Sequence, residues 1–321
     1  VQALVLTQKG KLEFVSNFIL PPTEKDLVRV KIKAAALNHR DVWITKGLYP
    51  GIEFPCVLGS DGAGLFDGKA VILQPGSGWG NNPAFPSRAY QILGMPKNGT
   101  LAEFVDVAPH QIYDKPDHLD WHEAAALPLA GLTAFRAVFS KGNLQPGQKV
   151  LITGIGGGVA LFAMQFAIAS GAKVWVSSGS TEKIEKAKAM GAEGGTLYTQ
   201  PDFWQSLQQQ VDGFDLVVDG TGGTQIAHIL KICNPGAKVV LYGGGQGNIP
   251  SISPQLLFWK QLSVLGTSMG TDAEFAKMLQ LVNKFKIRPV VDSKFSFSKG
   301  LEAIDYMAKA QQFGKITLQP E

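Results

Sequence analysis

The sequence predicts an α/β protein in which a doubly wound parallel sheet stands beside a smaller, β-rich domain. Three observations carry that prediction. From Val150 to Tyr242 short apolar runs alternate with longer helical patterns, as expected for a parallel sheet covered on both faces. A glycine-rich turn separates the first strand from the first helix in KVLITGIGGGVALFAMQFAIASGAKVWVSSGS, Lys149 to Ser180. Residues 1 to about 118, by contrast, hold short strand patterns cut repeatedly by glycine and proline.

The 321 residues, 45% of them hydrophobic, can bury a large core, and the length favours two domains over one. A formal charge of +4, with 17% of residues charged and the lysines and arginines scattered, fits ordinary solubility and gives no basic stripe for nucleic acid. Cys56 and Cys233 form neither a CxxC pair nor a disulfide framework, which suits a reducing, cytoplasmic setting. The start of the chain lacks a basic-then-apolar signal pattern, and no apolar run reaches the roughly 18 residues of a membrane span.

In chain order, Ala3–Leu6 and Leu27–Lys33 read as strands; in the second, Val28, Val30 and Ile32 alternate with Leu27, Arg29 and Lys31. A brief helix starts near Asn38 and ends before Gly47. Glu123–Phe139 is helical in character, with a break near Leu129 imposed by Pro128 and Gly131. Strands then follow at Val150–Thr153, Lys173–Ser177, Phe214–Asp219 and Lys238–Tyr242, with Leu262–Gly266 as a sixth. Helices are expected at Val159–Ser170, Glu182–Met190, Phe203–Gln210, Gln225–Cys233, Ala273–Phe285 and Lys299–Lys309, before the closing KITLQP. The tail rejoins the first region, so the domains are 1–118 completed by 286–321, and 119–285.

Gly154, Gly156, Gly157 and Gly158 let backbone approach a diphosphate closely, and the helix that follows presents its free amides to the negative charge. Val159 begins the helix, and Ala160 is small enough for close helix–strand packing. The spacing is imperfect: Ile155 stands at the first glycine position of GxGxxG, so the turn must differ in detail from a standard NAD site. No acid lies between Ala172 and Thr181, where a carboxylate would accept from adenosine ribose hydroxyls and repel a 2′-phosphate. Ser178 and Ser180 can instead donate to phosphate while Lys183 adds positive charge, which points to NADPH. The alternative is that Ser177–Ser180 cap a helix and Lys183 is solvated. Glycines after VVD at Val217–Asp219 and VVLY at Val239–Tyr242 line the same carboxyl edge of the sheet. Tyr198 either flanks adenine or packs in the core, and Asp219 suits a cap on Gly222–Thr224.

ALNHRD (Ala36–Asp41), FPCVLGSDGAG (Phe54–Gly64), NGTLAEFVDV (Asn98–Val107), EAAALPLAGLTAFRAV (Glu123–Val138) and the closing FGKITL occur in an order that resembles the medium-chain dehydrogenase/reductase superfamily, in its zinc-independent, quinone-oxidoreductase-like branch. The resemblance covers essentially the whole chain and implies a GroES-like β-rich domain made from both chain ends beside a Rossmann domain. It implies a site between the domains, with Asn38, Ser60 and Thr133 near the nicotinamide end, Tyr198 and Gly243 near the cofactor, and Lys315 close to a phosphate. It also implies a homodimer joined through sheet edges near Leu262–Gly266.

Zinc-dependent members carry cysteine where this chain has Asn38 and histidine where it has Ser60, with Asp61 at the neighbouring acidic position. Amide and hydroxyl groups are poor Zn²⁺ ligands, so no metal is expected. Without a Lewis acid, an unactivated alcohol loses its alkoxide stabiliser. The expected reaction is therefore hydride transfer from NADPH to a small-molecule quinone or activated enone, which delocalises the developing charge itself. Asn38 can orient cofactor or substrate; Tyr49 either donates a proton to an enolate or packs beside the substrate channel. The competing reading is a catalytically quiet NADPH-binding structural or regulatory protein, as the family's lens-crystallin members suggest.

Overall fold

The computed structural model describes residues 1–321, which form two compact units: Val1–Leu132 with Gly270–Glu321, and Thr133–Met269. The first unit thus takes in two helices beyond the boundaries at 118 and 286 expected from sequence. Trp121–Ala126 is capped by Asp120, whose carboxylate accepts the Glu123 N–H at 2.7 Å, and it buries Ala124, Ala125 and Ala126. Asp272–Phe285 is held by Tyr113, whose ring centroid lies 4.8 Å from that of Phe275, and by the Gln74 amide, which donates to Asp272 at 2.8 Å.

The first unit is mostly antiparallel sheet. Its central strand, Val28–Ala36, buries Val30 and Ile32 while Lys31 faces water, the alternation that the sequence shows. Asp61–Phe66 pairs antiparallel with one side of it, and the closing strand Lys315–Gln319 pairs antiparallel with the other. Ile316 and Leu318 are fully buried in one core with Leu4, Leu6, Val30, Ile32 and Phe297, so the two chain ends share one core. The Ala3–Gln8 strand forms a smaller sheet with Lys11–Val15 and Cys56–Val57. The Cys56 thiol is buried, and loss of hydration pushes its pKa up to about 12.

The second unit is a six-stranded sheet, parallel throughout. Its strands are β1 (Lys149–Ile152), β2 (Lys173–Ser178), β3 (Gly194–Leu197), β4 (Phe214–Asp219), β5 (Cys233–Leu241) and β6 (Ser263–Gly266). They lie in the order β3-β2-β1-β4-β5-β6, which reverses direction between β1 and β4 and opens a crevice at their carboxyl ends. The strand β3, absent from the strands expected from sequence, is formed by GGTL: its two glycines hide strand propensity, yet a Cβ on Gly195 would meet the Val176 carbonyl oxygen at 2.8 Å. The first helix, α1 (Gly158–Ala169), is apolar almost all round and buries Ala160, Leu161, Phe162, Ala163, Met164, Phe166 and Ala167. A second helix, α2 (Thr181–Ala189), follows β2. Pro128–Phe135 runs into a π-helical turn at Arg136–Lys141, and buried Thr133 lies one turn before it. No helix is long and apolar enough to cross a membrane.

Candidate active site

In the second unit, the β1–α1 turn uses backbone where a phosphate needs it. Gly154 and Gly156 adopt φ of +66° and +131°, conformations that side-chain-bearing residues avoid. Ile155 fills the first fingerprint position by turning inward: it is 2% exposed, and its N–H donates to the Ser177 carbonyl at 2.8 Å. Gly157 is the N-cap of α1, with φ −80° and ψ 153°, and neither a capping side chain nor an acidic first-turn residue meets the helix start. A Cβ at Gly157 would find nothing within 4 Å. Uncapped amides of Gly158, Val159 and Ala160, at the positive end of a twelve-residue helix, fit a diphosphate. Ala160 is fully buried, as the close helix–strand approach requires.

Asp219, at the carboxyl end of β4, ties this turn to the next. One carboxylate oxygen accepts from the Thr153 and Thr221 hydroxyls at 2.5 and 2.7 Å; the other accepts the Thr221 and Gly222 N–H groups at 3.2 and 2.7 Å. It is therefore a brace that caps its own loop. Gly243 follows β5 where a Cβ would lie 2.6 Å from the Gly220 carbonyl, so two ligand-edge loops pack backbone to backbone.

The end of β2 is partly committed to the protein itself. Ser178 is 3% exposed; its hydroxyl donates weakly to the Ile155 carbonyl at 3.4 Å and accepts the Ser180 N–H at 3.2 Å. Ser180 caps α2 by accepting the Lys183 N–H. The capping alternative therefore describes Ser180. Tyr198 packs half-buried against the core that contains Trp175 and Phe203, and its hydroxyl occupies the space that a Gly179 side chain would need.

In the first unit, topology gathers the chemistry. Both neighbours of Val28–Ala36 run antiparallel to it, so the beginnings of two strands meet the end of the third. Asp61 and Lys315 begin the flanking strands, and Asn38 stands just beyond the central one. Lys315 Nζ donates to Asn38 Oδ1 at 2.6 Å and Asp61 Oδ2 at 2.8 Å, and Asn38 Nδ2 donates to that same Asp61 oxygen at 2.9 Å. Asp61 Oδ1 accepts the Leu129 N–H at 2.8 Å. The three side chains are 8%, 0% and 3% exposed in the order Asn38, Asp61, Lys315. The Lys315 ammonium, which the resemblance places close to a phosphate, is buried against Asn38 and Asp61. An ammonium sealed among apolar strands needs a carboxylate, and the sequence alone does not say that Asp61, 254 positions away, is that partner.

Beside this set, the Ser60 hydroxyl is fully buried, donates to the Leu93 carbonyl at 2.8 Å and accepts from Arg40. Arg40 Nη1 also reaches the Leu93 carbonyl at 2.8 Å, and its guanidinium lies 5.0 Å from the centre of the half-buried Tyr49 ring. Asp41, fully buried, accepts the Asn38 N–H at 2.8 Å; burial pushes its pKa up. Sequence reasoning missed Arg40, because an arginine on a short helix resembles any solvated surface charge until its neighbours are known.

Two family models match the chain: the alcohol dehydrogenase GroES-like domain over residues 24–117 and the zinc-binding dehydrogenase over residues 158–284. A zinc-type alcohol dehydrogenase-like protein YogA from Leptosphaeria maculans is 35% identical, covering 96% of this chain and 94% of that one. The chain belongs to the medium-chain dehydrogenase/reductase superfamily. Within the superfamily, the 2-methylene-furan-3-one reductase of Solanum lycopersicum is 31% identical over 96% of this chain and 76% of its own. Among solved structures, an NAD-dependent alcohol dehydrogenase superposes with a TM-score of 0.94 at 33% identity, each chain fully covered. The quinone oxidoreductase of Thermus thermophilus, solved also in complex with NADPH, gives 0.83 at 26% identity, covering 99% of this chain and all of that one. This superfamily member is thus an oxidoreductase with a GroES-like domain and a Rossmann-like parallel sheet, and its relatives support a nicotinamide cofactor.

The second family model's zinc does not fit the residues present. Asn38 and Ser60 offer an amide and a hydroxyl, both oxygens of Asp61 already accept hydrogen bonds, and the Lys315 ammonium lies within 2.8 Å of the oxygens a cation would need.

Proposed function

We propose that the chain is an NADPH-dependent reductase that passes hydride to a quinone or an activated enone without a metal ion. The observation that carries the reading is the Asn38–Asp61–Lys315 set, which puts a fixed ammonium and a saturated carboxylate where a Lewis acid's ligands would stand. That chemistry suits an acceptor whose own conjugation spreads the developing charge. The activities for which the tomato reductase and the Thermus oxidoreductase are named support the same class.

In this reading the amides of Gly156, Gly157, Gly158, Val159 and Ala160 and the helix start hold the diphosphate. Gly243, packed against the Gly220 carbonyl, shapes the next strand end, and Thr133 and Tyr198 flank the bound nucleotide. Bound NADPH supplies the hydride; Asn38, with Ser60 and Tyr49 beside it, orients the acceptor and its proton supply. Lys315 holds the Asn38 amide in one orientation rather than touching phosphate. The preference for NADPH rests on Ser178, Gly179 and Ser180, where no carboxylate opposes a 2′-phosphate, and on Lys183 at the start of α2.

Purified protein mixed with NADPH and a panel of quinones and enones is expected to consume cofactor only when an acceptor is added. Stoichiometric NADPH binding with no turnover across the panel would instead favour a quiet binding protein. Replacing Ser178→Asp is expected to weaken NADPH more than NADH, because the new carboxylate repels the extra phosphate. Equal losses for the two cofactors, measured by fluorescence titration, would remove Ser178 from the phosphate site.

A further inference from the structure

One strong donor edge near Asn38 has no role in the arrangement described so far. Arg40 is held on three sides. Its Nη1 donates to Ser60 and to the Leu93 carbonyl, and the Tyr49 ring covers one face of the guanidinium. The remaining edge, Nε with Nη2, is sealed from solvent and has no hydrogen-bond partner. Buried guanidinium donors are seldom left unpaired, because the lost hydration is not returned.

The same pair of atoms is satisfied elsewhere in this chain. Arg29 grips Asp106 with Nε and Nη2, each 2.8 Å from one carboxylate oxygen, in a two-pronged contact. The protein's own carboxylates do not do this for Arg40. Asp41 turns Oδ2 to the Asn38 N–H while its buried Oδ1 makes no hydrogen bond to the guanidinium, and Asp61 is committed to Asn38, Lys315 and Leu129.

We propose that the Arg40 Nε/Nη2 edge is a receptor for a carboxylate on the hydride acceptor, so that the substrate class is a carboxylate-bearing enone. The inference rests on the reductase reading of the same site and narrows its substrate. The acceptor's carboxylate takes the two open donors in the guanidinium plane, which fixes its orientation before reduction. Because the open edge is closed to water, the chain around it must give way to admit the carboxylate. Lysine cannot replace arginine here, because a point charge lacks the paired donors.

The test compares 4-oxopent-2-enoate with its methyl ester, and adds the saturated 4-oxopentanoate as a probe that binds without turnover. Wild-type protein is expected to prefer the free acid by about 10- to 100-fold in kcat/KM, the range of a charge-assisted two-pronged contact. It should also be stabilised to heat by 4-oxopentanoate and not by the corresponding ester. In Arg40→Lys the acid-to-ester ratio should fall to within a few-fold of one, with NADPH affinity unchanged, and Arg40→Met should lose the thermal shift as well. A wild-type ratio near one, a ratio that survives Arg40→Lys, or a shift that survives Arg40→Met would overturn the proposal. If no acceptor is reduced at all, the reductase reading fails, and the presence or absence of the thermal shift still decides the carboxylate site.

Discussion

Replacing Lys315→Met is expected to cost the folded protein about 3–5 kcal/mol, the penalty for leaving a buried carboxylate without its counter-charge. Asp61 is fully buried, and two of the three donors to its carboxylate are Lys315 and the Asn38 amide, which Lys315 itself holds. Methionine fills a similar volume, so the loss reports charge and hydrogen bonding rather than a cavity. The double variant Lys315→Met, Asp61→Asn is expected to recover a substantial part, because the neutral amide no longer needs a cation while its oxygen still accepts the Leu129 N–H. Urea denaturation of the single and double variants reads both terms. A loss below about 1 kcal/mol, the scale of an exposed ion pair, would falsify the buried-pair account.

The second large effect separates stability from cofactor binding. Gly157 has an extended backbone that any residue tolerates, open space where a Cβ would go, and an uncapped helix ahead of it. Gly157→Asp should therefore leave the fold intact and strengthen it by about 0.5 kcal/mol, because aspartate caps the amides. Those are the amides assigned to the diphosphate, so nicotinamide nucleotide affinity should fall at least about 100-fold through like-charge repulsion and occupied donors. A thermal melt with a nucleotide titration gives both readings. If affinity holds while the melting temperature rises, the cofactor phosphates lie elsewhere.

Much of the second unit was legible because its signals are local. The apolar runs at β1, β2, β4 and β5 and the glycine turn announce themselves within a few residues, and Pro128 marks the break after Trp121–Ala126. The strand β3 was not, since GGTL has no strand propensity and is held by its place beside β2. The short helix Pro254–Lys260 was also unread; Ser253 caps it, but its exposed Phe258 and Trp259 give no amphipathic pattern. The serines after β2 were recognised as either phosphate donors or caps, and only the backbone geometry showed Ser180 capping α2.

Local pattern by itself predicted an α/β protein with a nucleotide turn, since strand periodicity and turn glycines reside in the residues, and the family resemblance added Asn38 and Ser60 at the positions where zinc-dependent members carry ligands. The tertiary structure alone decided what the charges at the acceptor site do. Lys315 meets Asp61 because antiparallel pairing brings two strand starts to one strand end. Arg40 keeps an unfilled fork because Ser60, Leu93 and Tyr49 hold it in place while no carboxylate of the chain reaches its Nε or Nη2. Hydrogen bonding between groups hundreds of residues apart depends on sheet register, which is a property of the folded whole.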